Sequence, residues 1–165
     1  MKKTDRIKNL IFFLAIILMI TAVDQLTKSL ATDYLKGAPS YKIVDGVFEL
    51  SYLENDGAAW GMLDNAPWVF KTVSTVTIIA ITLYVALSRE ISQLTVTALA
   101  FIAGGGVGNM IDRIISGYVV DFFNFCLIDF PVFNVADIFV TIGAGLLIID
   151  LLFFDLAKEK QGTEK

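Results

Sequence analysis

Asp121 and Asp137 are the side chains of this chain best equipped for chemistry. They lie in the stretch Gly104–Asp137, which also carries Asn109, Asp112 and Arg113. Lipid should exclude all of these groups, yet apolar runs long enough to enter a bilayer flank them. Ionisable side chains at membrane depth are costly and are therefore functional candidates by default. The alternatives are narrow. The sequence has no histidine and one cysteine, Cys126. A Ser-His-Asp triad, a Cys-His pair and an HExxH zinc site are thereby excluded, which leaves two carboxylates as hydrolytic equipment. Two acids brought close cannot both ionise easily, so one keeps a proton. The ionised member can take a proton from water while the protonated one activates a scissile carbonyl. The pair is expected to hold one proton at neutral pH, a proton that belongs to the pair and not to either residue. Cys126 reads as a small apolar filler or a lipid-facing residue.

The elements that must position this pair are helices in a membrane. Of 165 residues, 56% are hydrophobic and 18% charged, the composition of a membrane protein and not of a soluble domain. The net charge of −4 offers no basic stripe for nucleic acid. Spanning segments are expected at about residues 9–30, 67–87, 94–115 and 132–154, each near the ~20 residues a helix needs to cross the hydrocarbon core. The first follows Lys2, Lys3, Arg6 and Lys8 like a signal peptide. It is too long for a usual signal core and lacks a clear cleavage site, so it reads as a retained span. Basic residues at both ends of the chain and Arg89 in the short 88–93 loop place both termini and that loop in the cytoplasm.

The expected outer loop, residues 31–66, contains β-prone runs on either side of Asp45-Gly46, a strong hairpin signal. A small extracytoplasmic sheet should result, acting as a stabilising cap or as a platform for an extended peptide. At ~1.5 Å per helical residue, Asp24 and Asn109 each lie about 22 Å from the cytoplasmic start of their spans. Asp137 lies roughly 8 Å below the outer end of the fourth, so the three reach one level of the outer leaflet in a core ~30 Å thick.

Local spacing adds detail. Asn134 and Asp137 are placed on one helical face, as are Asn109, Asp112 and Arg113. Arg113 either snorkels to the interface or pairs with Asp112. Asp24 and Lys28 stand in the favourable order for a helical ion pair; activation of the adjacent Ser29 by Lys28 is disfavoured because neighbouring residues on a helix diverge. Gly104, Gly105, Gly106 and Gly108 allow close helix packing or leave room for a substrate.

The chain as a whole resembles lipoprotein signal peptidase, or signal peptidase II. The resemblance rests on DQLTK at 24–28, NDGAAWG at 55–61, GNMIDR at 108–113, GYVVDF at 117–122 and FNVAD at 133–137. It implies a single-domain intramembrane aspartyl endopeptidase that removes the signal peptide of bacterial prolipoproteins, cutting before a diacylglyceryl-modified cysteine. By motif, Asp121 and Asp137 resemble the catalytic dyad. Asn55, Asn109, Arg113 and Asn134 resemble the polar residues around the substrate, Asp24 and Asp112 supporting ones, and Gly57 a member of the NxGAA loop; Trp60 stands where many members have Phe. The resemblance implies no cofactor or metal, a monomer among membrane lipids, and the bacterial cytoplasmic membrane as location. The rival readings are a small proton-coupled transporter, since intramembrane acids also line ion paths, and a non-enzymatic assembly factor.

Overall fold

The computed structural model describes residues 3–57, 67–128 and 130–163. Trp60 and the rest of the NDGAAWG motif after Gly57 lie outside the described residues. Helix α1 (Lys3–Leu35) leads into strands β1 (Tyr41–Val44) and β2 (Phe48–Asn55). Helices α2 (Pro67–Leu87) and α3 (Gln93–Ile115) follow, then strand β3 (Val119–Phe125) and helix α4 (Val135–Thr163). The chain is thus mostly helical with a small sheet. By length and composition, Asp5–Leu35, Gln93–Ile115 and Val135–Leu152 are apolar enough to cross a membrane, and Lys71–Leu87 is apolar but shorter.

Helix α3 is the central helix and packs against each of the others. Its direction relative to them is legible from paired contacts. Thr21 Oγ1 donates to the Gly104 carbonyl at 3.4 Å and Gln25 Nε2 to the Gly108 carbonyl at 3.2 Å, so α1 and α3 run parallel. Thr75 reaches Met110 while Val85 packs with Val96 and Leu99, so α2 runs antiparallel to α3. Phe101 meets Phe139 edge-on and Asp150 accepts from Ser92 and Thr95, so α4 is antiparallel too. Outward from these seams the helices present apolar side chains: Leu18 is 72% exposed, Val76 61% and Leu152 60%. In water such a surface would aggregate; against lipid tails it is matched.

The glycines of α3 are packing glycines where it touches α1 and α4. A Cβ on Gly104 would lie 3.1 Å from Ile20 Cβ, one on Gly105 would strike the Ala136 carbonyl, and one on Gly108 the Asp24 carboxylate. Each hydrogen left in place of a methyl lets a backbone or a carboxylate approach.

The hairpin forms where Asp45-Gly46 predicts it, with Gly46 at φ 71° and the Val47 amide donating to the Val44 carbonyl at 3.0 Å. The sheet then gains a third strand, in the order β1-β2-β3, all antiparallel. Strand β3 was not evident from sequence. Val119, Val120, Asp121 and Phe122 are all buried, because Val120 and Phe122 pack on Ala31 of α1 while Asp121 faces the other way. A strand covered on both faces shows no alternation.

Of the expected boundaries that move, two bear on the site. Helix α1 extends to Leu35, so the connecting loop starts later than residue 31. Helix α4 begins at Val135 and not near 132, because residues 130–133 are held beside β3. The Phe123 amide donates to the Phe133 carbonyl at 2.8 Å and the Phe133 amide returns to Phe123 at 3.0 Å. Rings of Phe48, Phe123, Phe125, Phe130 and Phe133 stack around that bridge.

The close helix contacts give a stability prediction. A Cβ on Gly143 would sit 2.7 Å from the Ala98 carbonyl and 2.9 Å from Phe101 Cβ, whereas Gly145 has nothing within 4 Å. Gly143→Ala should destabilise the protein by about 1–3 kcal/mol through overpacking. Gly145→Ala should be neutral or stabilising by up to about 1 kcal/mol through helix propensity. Thermal unfolding in detergent checks both; equal effects would contradict the packing account.

Candidate active site

The polar residues singled out by sequence converge where the C-terminal halves of α1 and α3 meet β3 and the start of α4. Asp121 is carried by β3 and is 2% exposed; Asp137 lies in the first turn of α4 and is half-buried. Asn134 joins them. Its Nδ2 donates to Asp121 Oδ1 at 2.6 Å and its backbone amide to Asp137 Oδ2 at 3.1 Å. The Asp137 amide donates back to Asn134 Oδ1 at 3.1 Å. This is a reciprocal capping box: Asn134 is the N-cap of α4 and Asp137 its third residue. The two residues therefore meet, but not by sharing a helical face, since Asn134 precedes the helix.

Three asparagine amides point their NH2 groups at this carboxylate pair, and each is fixed from behind by a donor to its oxygen. Asn55 Nδ2 donates to Asp121 Oδ2 at 2.8 Å while its Oδ1 accepts from the Gly57 amide at 3.1 Å. Asn109 Nδ2 donates to Asp137 Oδ1 at 2.8 Å while its Oδ1 accepts from Lys28 Nζ at 2.8 Å. Asn134 is fixed by the Asp137 amide. The alternative amide orientation would set oxygen against carboxylate oxygen at each site, so the flips are chemically determined. A bulge in β2 between Leu50 and Leu53 brings Asn55 opposite Val119, one diagonal step from Asp121.

Behind the pair lies a buried ionic cluster. Lys28 Nζ sits 2.9 Å from Asp24 Oδ2 and 2.9 Å from Asp112 Oδ2. The expected Asp24–Lys28 pair is present, but it includes Asp112, and Lys28 points inward while Ser29 is exposed. Asp112 thus turns toward α1 rather than pairing with Arg113. Arg113 instead donates to the Gly57 carbonyl at 3.4 Å and lies within electrostatic range of Asp112, Asp121 and Asp137.

Gln25 escaped the sequence reading. Its Nε2 donates to Asp112 Oδ1 at 2.8 Å and holds that carboxylate toward Lys28. The signal existed: Thr21, Asp24, Gln25 and Lys28 recur at helical spacing and form one polar stripe in an apolar span. Asp150 accepts from Ser92 Oγ at 3.1 Å and from Thr95 Oγ1, where the start of α3 favours an acid. Cys126 is exposed and lies after β3, pointing to no role in the cluster. Among the described residues no group of three or more His, Cys, Asp and Glu side chains is arranged to hold a metal ion.

Burial pushes the Asp121 carboxyl up to about 6; the Asn55 and Asn134 donors oppose the rise and the negative charge of Asp137 adds to it. That is toward, but about a unit short of, neutrality in the substrate-free protein.

The sequence pattern of the family described as signal peptidase (SPase) II matches residues 16–153. A lipoprotein signal peptidase of Symbiobacterium thermophilum is 44% identical over 154 residues, 91% of this chain and 99% of that protein. One from Brevibacillus brevis is 42% identical over 86% of this chain and 95% of that protein. That of Bacillus subtilis is 37% identical over 88% and 96%. A solved structure described as a bacterial membrane enzyme superposes with a TM-score of 0.79 at 31% identity, covering 86% of this chain and 87% of that one. A second so described gives 0.77 at 31% identity, over 86% and 92%. The fold is therefore that of a helical bacterial membrane enzyme. The chain belongs to the signal peptidase II family of aspartyl peptidases.

The Asp121 environment makes stability pH-dependent with a definite sign. Its folded value, about 6, exceeds its ordinary 3.8, so the folded state binds the proton more tightly. Stability from this group is present below about pH 4 and is lost as pH rises through about 6, by at most about 3 kcal/mol. Thermal midpoints of the parent relative to Asp121→Asn should fall between pH 4 and pH 7. A difference that stays flat or rises would overturn the burial assignment.

Proposed function

We propose that Asp121 and Asp137 are the catalytic pair of this signal peptidase II. In this role they hydrolyse the peptide bond preceding the diacylglyceryl-modified cysteine of a prolipoprotein and so release its signal peptide. The observation that carries the assignment is Asn134, which binds both carboxylates at once. It links the two carboxyls through one side chain and its amide, although they come from a strand and a helix. In the working pair one carboxyl holds a proton. The ionised carboxylate takes a proton from water as the oxygen attacks the scissile carbonyl carbon, and the protonated one gives its proton to the carbonyl oxygen. Collapse of the tetrahedral intermediate breaks the C–N bond: the leaving amine takes the proton gained from water, and a hydroxyl of the intermediate returns a proton to the other carboxylate, which restores the shared proton. Substrate docking removes water from the pair and raises the proton affinity of Asp121 further. Asn55, Asn109 and Asn134 hold the carboxylates at fixed angles, while Arg113 holds the Gly57 carbonyl beside Asn55.

The whole chain acts as one membrane domain in this reading. It crosses four times, with both termini in the cytoplasm and the sheet outside. Supporting this are the alternating helix directions, the position of α2 antiparallel to its two neighbours, and the basic N-terminus at the bundle end opposite the acid pair. The substrate is anchored in the same membrane, so its cleavage point lies at the outer leaflet, where the pair sits. An ion path would need polar groups all along the bundle, whereas those around the acid pair are separated from Asp150, Ser92 and Thr95 at the other end by apolar packing of Phe13, Val85, Leu99 and Ala103. The chain acts as a monomer in contact with membrane lipid, since one copy brings every named group together.

The test is cleavage of a diacylglyceryl-modified prolipoprotein by the purified protein, with Asp121→Asn and Asp137→Asn alongside. Each folded variant should lose at least about 10³-fold in kcat, the range of a removed acid–base group. Cleavage at the parental rate by either removes that residue from the pair. Cys126→Ala should cut within about twofold of the parent, since surface changes away from the site are near neutral; loss of turnover in that folded variant would give Cys126 a role it lacks here.

A further inference from the structure

The ionic cluster behind the acid pair has a geometry that ion pairing alone does not require. Asp24 Oδ1 accepts the backbone amide of Ala136 at 3.0 Å. Asp112 Oδ2 accepts the backbone amide of Val120 at 3.3 Å. Ala136 immediately precedes Asp137, and Val120 immediately precedes Asp121. Each buried carboxylate thus grips the backbone amide of the residue before one member of the pair, one at the start of α4 and the other in β3. Lys28 Nζ lies 2.9 Å from both carboxylates and 2.8 Å from Asn109 Oδ1, whose amide reaches Asp137. With its side chain 4% exposed, this ammonium has little freedom to adopt another arrangement.

We propose that Lys28 is a positioning residue that sets the spacing between Asp121 and Asp137. It acts through Asp112 on the first and through Asp24 and Asn109 on the second. The proposal rests on the assignment of those two aspartates as the catalytic pair. The backbone segments that carry them belong to elements with no common ladder: β3 bonds to β2 and α4 is a helix of its own. Backbone bonds join β3 to Phe133 ahead of α4, and two side chains join the Asp24 and Asp112 grips: Gln25 Nε2, at 3.3 and 2.8 Å, and Lys28 Nζ, which alone carries a charge and reaches on to Asn109. One small, strongly charged group touching both grips fixes their separation in the way a pin fixes two levers. A shared proton and an attacking water demand such a fixed separation, because a misplacement of ~1 Å can cost on the order of 100-fold in rate.

The role separates from a merely structural one by kinetics. Lys28→Met keeps the stem and removes the ammonium, but it strands two buried carboxylates and can fail to fold. A triple variant, Lys28→Met with Asp24→Asn and Asp112→Asn, removes the charges together and leaves an amide oxygen to accept from Ala136 and Val120. It keeps both grips and the neutral Gln25 bridge and deletes the contacts of Lys28 with residues 24, 112 and Asn109. Full-length purified protein is assayed on a diacylglyceryl-modified prolipoprotein, with thermal unfolding as the check on folding. In the folded triple variant kcat should fall by about 100-fold or more with KM within about threefold of the parent. Lys28→Arg, which restores a cation with different reach, should recover part of the lost kcat. A folded triple variant within about threefold of parental kcat overturns the proposal, as does a loss confined to KM. Asp121→Asn and Asp137→Asn serve as controls. If they are inactive while the triple variant cuts normally, only the positioning role fails; if they retain activity, the catalytic assignment itself has failed.

Discussion

The structure depends on a lysine ammonium buried between two parallel helices. Lys28 meets Asp24, Asp112 and Asn109 inside a bundle whose outer surface is matched to hydrocarbon. Removing one partner of a buried ion pair costs about 3–5 kcal/mol, because the charge left behind has nowhere to go. That asymmetry makes the cluster all-or-none: α1 must present Lys28 at the level where α3 presents Asp112, or neither can be buried. The requirement fixes the register of α1 on α3, which the glycines then allow by bringing the backbones close. Gly108 is the clearest case, since a methyl group there would occupy the place of the Asp24 carboxylate. Apolar packing in a membrane has no comparable power to fix a register, because a lipid tail satisfies a leucine as well as another leucine does.

From that register the acid pair follows by short steps. Asp24 and Asp112 hold the backbone amides next to Asp137 and Asp121, and Lys28 orients the Asn109 amide toward Asp137. The Asn134 capping box serves twice, starting α4 and spanning the two carboxylates. Helix termini leave amide groups without intrahelical partners. Here the orphan amides at the start of α4 go to Asp24, Asn134 and Asp137. The same bonds that begin the helix thus assemble the site, and there is no separate scaffold to which the site is added.

Much of this was legible in the sequence, and the failures have identifiable causes. The apolar segments, the Asp-Gly hairpin and the polar groups on α1, α3 and α4 follow from periodicity and from the cost of burying charge in lipid. The convergence of Asp24, Asn109 and Asp137 follows from counting residues along helices. Strand β3 did not follow, because Val119–Phe122 is covered on both faces and reads as apolar run and not as alternation. With β3 hidden, Asp121 had a role but no place, and residues 132–134 were assigned to a helix that the Phe123–Phe133 bridge excludes. Gln25 was passed over inside a motif dominated by two charged neighbours. For Asp112 the only partner the spacing offered was its helical neighbour Arg113, as one of two readings, whereas Lys28 is 84 positions earlier in the chain; local spacing names contacts within a helix and is silent about contacts between helices.

Why should one acid of such a pair stand on a strand at all? Two carboxylates on facing helices would be held at a distance set by backbone packing, and both would see the same surroundings. A strand places Asp121 on a backbone that approaches α4 end-on, so the two acids differ in burial from the outset, one 2% exposed and the other half-buried. Repulsion keeps one proton on a close pair of acids, and a difference in burial biases which of them holds it. The strand has a second consequence. A peptide bond can be attacked only when its carbonyl is freed from helical hydrogen bonding, so the substrate must be extended where it is cut. A sheet at the end of a helical bundle supplies an extended backbone beside the acid pair, next to the point where a membrane-anchored chain would leave its helix. On the proposed catalytic assignment, chemistry and unwinding are demanded at one level of the membrane, and the junction between β3 and α4 is where this fold would meet both demands.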